Sequence, residues 1–325
     1  MHEQHGITTF VFDGNGGRLA AAPTEEPGGT SPDKTQAFTW IHLNRTAPEA
    51  IAWLNGAGLD GYVIDALTAE ETRPRLSVHG DCALLNLRGV NLNPGAEPED
   101  MISIRIWIEP GRVISTVLRR LMAVDDLREA IDRQQGPVSP GDLIAKLALR
   151  LADRAEPTIA KLNEDIDALE EQVPEKLVPA SRTMLADVRR SAIVLRRYMF
   201  PQRDALSSLE IEDFTWLKDH QRHRLREATE RIIRLGEELD AIRDRAQIVH
   251  DQIMDMRSET MNRQMLVLSI VAALFLPLGL LTGLLGINVG GIPGTNDPWA
   301  FSIVCAVLVV IGAGQVWLFR RMGLF

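Results

Sequence analysis

Two groups of residues in this chain have the types and spacing to handle a metal cation. Steps of three and four from Asp251 reach Asp255, Ser258, Asn262, Met265, Leu268, Ala272, Leu276, Gly279, Gly283 and Gly286, a spacing that places them along one face of a helix. The carboxylates and amides at its start are oxygen donors of the kind hydrated divalent cations accept. Further along, the face turns small and apolar, the character of a narrow neck if parallel copies surround an axis. A solvated helix face followed by glycines at which helices pack closely has the same pattern, and spacing does not choose between them. The second group is Gly286, Ile287 and Asn288, which open a glycine-rich stretch ending at Gly294. The amide oxygen of Asn288 can accept from the water of a hydrated cation, and glycines can turn backbone carbonyls toward an axis. The stretch also suits an ordinary flexible turn. Apart from both groups, His220 and His223 are three residues apart and can share a helix face as a pair of nitrogen donors for a metal, a candidate regulatory site, or simply be solvated.

The elements that carry these residues follow from the apolar runs. Gln264 to Leu285 and Pro298 to Phe319 are each 22 residues without a formal charge, and as a helix each reaches about 33 Å, enough for the hydrocarbon core of a bilayer. Arg263 precedes the first run and Arg320 and Arg321 follow the second, while the segment between them carries only Asp297. The positive-inside bias therefore puts both termini in the cytoplasm, with about 260 residues before the membrane. The N-terminal MHEQHGITTF has no basic region followed by an apolar core, so insertion is expected to rest on the C-terminal runs. The net charge of −9 includes +1 from Gln264 onward, leaving −10 on the preceding part. A field of that sign repels nucleic acid and draws cations. Cys82 and Cys305, the two cysteines, offer no disulfide framework or thiolate cluster.

Residues 1–140 read as a mixed α/β unit. Strands are expected at Thr8–Phe12, Phe38–Leu43, Arg75–Val78, Ala83–Leu87, Ser103–Ile108 and Arg112–Leu118, the last two joined by a turn at Glu109-Pro110-Gly111 in which glycine supplies a positive φ. A helix is expected at Ala47–Asn55 with Thr46 as its N-cap, and a loop at Ala21–Lys34. This unit has no phosphate-cradling glycine loop, nucleophile elbow or paired-histidine zinc motif, which argues against an enzyme and against a nucleotide partner. Residues 141–263 read as long helices. The first is expected to kink at Pro157 and to close at Pro174 and Pro179. A second, Ser181–Met199, is expected to end at Pro201. A heptad seam follows over Leu225, Ala228, Ile232, Leu235, Leu239, Ile242, Ala246, Val249, Ile253 and Met256. With no proline between Asp219 and the first run, stalk and span read as one rod about 90 Å long from Leu225 to Leu285. The fold class is thus an α+β cytosolic domain continuing into a two-helix transmembrane hairpin, with spans at 264–286 and 298–319, an outer loop at 287–297 and a tail at 320–325. A single pair of spans cannot enclose a water-filled path, so a path through this hairpin would need several copies of the chain.

The long helix running into a span that ends in Gly-X-Asn, the short outer loop, the second span and the basic C-terminus resemble the CorA family of divalent-cation transporters. The segments MNRQM at Met261–Met265, FLPLGLLTGLLGIN at Phe275–Asn288, GGIPG at Gly290–Gly294, WIHLNRTAPEAIAWL at Trp40–Leu54 and LRRYMFPQRDAL at Leu195–Leu206 are similar to its zinc-transporting ZntB branch. The resemblance implies a homopentameric funnel in a bacterial inner membrane, with the first span lining the pore and the second forming an outer ring. Carried over residue by residue, Gly286 and Asn288 would form the ring that meets the hydrated ion, and Asp251 would face the cytosolic vestibule. Where the family usually has Gly-Met-Asn, this chain has Ile287. The acidic loop of magnesium-type members is replaced by VGGIPGTND, and the threonine of their upper pore falls at Gly279. The implied function is transport of Zn2+, with Cd2+, Ni2+ and Co2+ as related cargo. A Mg2+/Co2+ channel is the alternative, and a non-conducting membrane scaffold or sensor the reading from another class. No cofactor is implied beyond the transported ion. Import is favoured by an inside-negative potential, and coupling to a proton stands beside passive flow.

Overall fold

The computed structural model describes residues 6–19, 37–70, 73–172, 179–287, 294 and 297–323. The chain divides into two compact units, Met1–His250 and Asp251–Phe325. The first is built on a seven-stranded sheet of β1 (Ile7–Phe12), β2 (Arg18–Leu19), β3 (Phe38–Asn44), β4 (Arg75–His79), β5 (Cys82–Gly89), β6 (Ile102–Glu109) and β7 (Arg112–Val117). Their order is β2-β1-β3-β7-β6-β5-β4. Only β3 and β7 pair in parallel, and a parallel pair needs a long crossover connection. Here the crossover carries α1 (Pro48–Gly56), α2 (Gly61–Thr68) and β4 to β6. The six runs expected as strands are all strands. Only the two-residue β2 lacked a pattern long enough to read. The expected loop at Ala21–Lys34 lies outside the described residues.

Local chemistry explains the turns and the caps. In the β6–β7 hairpin Glu109 faces Arg112 across Pro110-Gly111, and their side chains form a two-point ion pair of 2.7 and 3.1 Å. Gly111 does not take the positive φ expected of it; the left-handed glycine is in the β4–β5 hairpin, Gly80, with φ 61°. Thr46 does not cap α1. Its amide and hydroxyl both donate to Asn44 Oδ1, at 3.0 and 2.8 Å. Pro48 opens the helix without any side-chain cap, because proline has no N–H to satisfy there. The unforeseen α2 has a true cap, Asp60 accepting from Tyr62 N at 2.8 Å. Leu43, Leu54, Leu67, Leu84 and Ile114 pack α1 and α2 onto one sheet face. At Gly89 an added Cβ would lie 2.7 Å from both Leu121 and Leu151, so the sheet's close approach to the helical layer requires a residue without a side chain.

That layer consists of α3 (Met122–Asp132), α4 (Pro140–Gln172), α5 (Pro179–Ile211) and the start of α6 (Asp219–Leu285). Pro157 lies inside α4 and Pro201 inside α5, so Pro201 does not end its helix as expected. An interior proline costs about 3 kcal/mol. Beyond it Ala205, Leu206 and Leu209 are all buried, and burying one leucine recovers roughly 1.5–3 kcal/mol. Packing outweighs the propensity. Pro179 opens α5 instead of closing α4.

The seam of α6 is real and is used within the chain. Leu225, Ala228, Ile232, Leu235, Leu239, Ile242, Ala246 and Val249 are all buried, while the polar flank of α6 is tied to α4 by Arg231 to Asp153 and by Arg245 to Asn163, Asp167 and Glu170. Met256, expected to continue the seam, is exposed. At the root of α6, buried Gln221 accepts from Lys218 N at 2.9 Å and donates to Ser139. Nearby the buried Asp142 carboxylate holds Lys146 at 2.9 Å and Arg224 at 2.6 Å. With two cations and Val138 N, which donates to it at 3.1 Å, this buried carboxylate stays paired when either cation is lost.

One buried titratable group makes this unit sensitive to acid. Trp40 Nε1 donates to Ser115 Oγ at 2.8 Å, and His42 Nδ1 lies 2.8 Å from the same oxygen. Burial, helped by the Arg128 charge, pushes His42 from 6.5 down to about 3. Between these values the unfolded chain binds a proton that the folded chain refuses. Stability is therefore full above about pH 6.5 and falls as the pH drops toward 3. Chemical unfolding followed by tryptophan fluorescence should show the wild type losing about 1.4 kcal/mol more than His42→Gln between roughly pH 7.5 and 5.5. Parallel pH profiles would remove His42 as the cause.

Candidate ion path

The second unit contains α6 from Asp251 to Leu285 and α7 (Ala300–Arg321). Both helices are long and apolar enough to cross a membrane, and no residue in either apolar window is buried. A soluble core helix of that composition would be covered. The contacts between the two helices settle which side of α6 is occupied. On α6 the partly covered residues include Ile270, Leu274, Leu278 and Leu281, and on α7 they include Val304, Leu308, Ile311 and Gln315. Gln315 Nε2 donates to Ala273 O at 3.3 Å, a polar clamp between the helices. Its signal was available in the sequence as an amide in an otherwise apolar run.

At 3.6 residues per turn, Met265, Leu268, Ala272, Leu276, Gly279 and Gly283 centre about 170° round α6 from that covered side. Leu268 and Leu276 are 70% and 71% exposed. A Cβ added to Gly279 or Gly283 would meet nothing within 4 Å, so neither glycine is explained by close packing against α7. Upstream, Asp251, Asp255, Ser258 and Asn262 are exposed as well. The structure therefore brings the whole stripe from Asp251 to Gly283 onto one helix and turns its apolar part away from the one neighbour that α6 has in this unit.

At the end of α6, Gly286 N donates to Thr282 O at 3.0 Å and Gly283 O at 3.2 Å. Thr282 returns its hydroxyl to Leu278 O at 3.0 Å, so this polar side chain is satisfied within the helix, as lipid requires. Ile287 follows, half exposed. Asn288 lies outside the described residues. Before α7, Asp297 Oδ1 accepts from Trp299 N at 2.9 Å.

His220 and His223 sit at the root of α6, in the first unit, both exposed. They are not brought together with the stripe. Among the described residues no group of three or more His, Cys, Asp or Glu side chains is placed to hold a metal, so this pair has no third protein ligand of those types.

A family described as "CorA-like Mg2+ transporter protein" matches residues 35–321. The Divalent cation transporter CmaX of Pseudomonas aeruginosa is 41% identical over 286 residues, covering 87% of this chain and 86% of that protein. The Zinc transport protein ZntB of Yersinia enterocolitica is 35% identical over 312 residues, covering 96% and 93%. The structure of full-length CmaX matches with a TM-score of 0.85 at 38% identity over 98% of both chains. The CorA magnesium transporter of Methanocaldococcus jannaschii matches with a TM-score of 0.82 at 17% identity, a likeness of fold alone.

If the uncovered face of α6 lines a water-filled path, a cysteine placed there should react with a charged, membrane-impermeant thiol reagent. In a background of Cys82→Ser and Cys305→Ser, Leu276→Cys is expected to label and Leu278→Cys, on the side toward α7, to remain unlabelled. Equal labelling of the two would remove the distinction between faces.

Proposed function

The chain belongs to the CorA-like Mg2+ transporter family, and on that premise we propose that it carries divalent metal cations, zinc foremost, across a bacterial inner membrane through a homopentameric pore lined by α6. Members of the family are transporters, not enzymes. The observation that carries this reading is the uncovered stripe of α6. One chain leaves Met265, Leu268, Leu276 and the adjacent glycines facing away from α7, and several copies around an axis would enclose them. In this arrangement α7 takes the lipid-facing position, and both termini lie in the cytoplasm.

Electrostatics favours the approach of cations. The part before Gln264 carries a formal −10, and five copies multiply that charge around one axis, screened over about 8 Å at physiological salt. At the outer end Gly286 and Asn288 form the ring that meets the hydrated ion, with Asp251 at the cytosolic mouth. No step needs the ion to be stripped of its water by a fixed protein cage. With the inside negative, about 2.3 kcal/mol per charge per 100 mV drives a divalent cation inward, so import is the expected direction. His220 and His223 remain a proposed zinc-responsive pair, which a partner copy would have to complete.

Zinc as cargo rests on similarity to the ZntB protein and on the replacement of the acidic outer loop by VGGIPGTND. A second reading, magnesium, is favoured by the description of the family itself. In liposomes containing a zinc-sensitive dye, flux should be abolished by Asn288→Ala, and intact flux in that variant would remove Asn288 from the path. Excess Mg2+ should leave Zn2+ flux nearly unchanged if zinc is the cargo and suppress it if magnesium is. The same liposomes under an imposed potential or pH gradient separate passive entry from proton coupling.

A further inference from the structure

The face of α6 that turns away from α7 also carries sulfur. Of the 10 methionines in the chain, four fall between Met254 and Met265, just ahead of and at the start of the uncharged run. All four are exposed, at 46% for Met254, 38% for Met256, 53% for Met261 and 62% for Met265. Methionine is ordinarily a buried, gap-filling residue, so this concentration at the surface of one helix calls for a cause. Met254, Met261 and Met265 are spaced by seven and four. On a helix that places them within roughly 50° of one another, in line with Leu268, Ala272 and Leu276. Met256 points to the opposite side.

Donor chemistry gives this line a use. Zinc and the softer d-block ions prefer nitrogen and sulfur, whereas magnesium and calcium prefer oxygen. Among the described residues no group of three or more His, Cys, Asp and Glu side chains is placed to hold a metal. From Asp251 onward the stripe contains no histidine or cysteine, the exposed His250 standing one turn before Met254 on the same face. Beyond that imidazole its soft donors are thioethers. A thioether is neutral and weakly coordinating, so it can attract a soft ion without holding it, as conduction requires. In an assembly with α6 around the axis, each methionine becomes a ring of sulfurs.

We propose that Met254, Met261 and Met265 form a thioether ladder that favours soft and borderline d-block cations over hard ions such as Mg2+ and Ca2+ on the cytosolic approach to the span. The ladder rests on the reading of α6 as the path-lining helix. Leucine matches methionine in volume and apolarity, so replacing Met by Leu removes the sulfur and keeps any purely hydrophobic constriction.

The test uses full-length protein in liposomes, with Zn2+ flux measured against Cd2+ or Mg2+ as competitor. In the triple variant Met254→Leu, Met261→Leu, Met265→Leu, the Cd2+ concentration that halves Zn2+ flux should rise roughly tenfold, comparable to the low end of what losing an outer-shell partner of a metal ligand costs. Competition by Mg2+ should not change, and Met256→Leu should behave as wild type. Unaltered Cd2+ competition in a triple variant that still carries Zn2+ overturns the ladder. Met261→Leu alone, outside the uncharged run, should shift Cd2+ competition in the same direction, and no shift there counts equally against it. Failure of the underlying reading looks different: wild-type Zn2+ flux through Leu276→Trp would take α6 out of the path whatever the methionine variants do.

Discussion

Hydrocarbon offers no hydrogen-bonding partner and water offers no home for 22 successive uncharged residues. That constraint governs the second unit. Between Gln264 and Leu285 the backbone has to satisfy itself as a helix, and even Thr282 folds its hydroxyl back onto Leu278 O and Gly279 O. One companion, α7, covers one side and is pinned by Gln315 on Ala273 O. The other side keeps a line of residues for which this chain provides no cover. The proposed assembly of several copies answers that shortage, since a lone hairpin has no inside.

Within one helix, α6, two patterns follow each other. From Leu225 to Val249 its seam residues are buried in the first unit, while Ile233 and Ile248 off the seam stay exposed, and arginines that reach across to acidic groups of α4 hold the register. Exposed ion pairs of that kind contribute little singly, typically below about 1 kcal/mol, and the buried seam carries most of the attachment. From Asp251 onward a different face becomes informative. The division into two units falls at His250 and Asp251, inside an uninterrupted helix and at the first residue of the stripe.

In the proposed transporter the acidic balance and the soft-donor line would bear on different stages of transport. A diffuse negative charge attracts any cation and cannot tell zinc from magnesium. Discrimination requires donors whose preference depends on the ion, and in the proposed ladder the thioethers, softer than the carboxylates and amides of the same helix, would supply it. Weak donors suit a path better than a tight site, because an ion that binds strongly does not leave.

Much of this protein was legible without coordinates. Strands with alternating burial such as Ile7–Phe12, the proline-glycine hairpin, the seam of α6 and the two spans all follow from short-range pattern, because period and turn chemistry are local properties of the chain. Other features depended on neighbours. Pro201 is absorbed into α5 by the burial of Leu206 and Leu209, Thr46 loses its cap role to Asn44, and α2 forms where the sheet offers it a face, as α3 does against α4. The ion stripe shows the boundary most clearly. Spacing alone placed Met265, Leu276 and Gly279 on a common face and left two uses open, lining a path or packing against a helix. Only the position of α7, on the far side of α6, decided that these residues do not pack against it, because a periodic pattern says which residues share a face but not what that face meets.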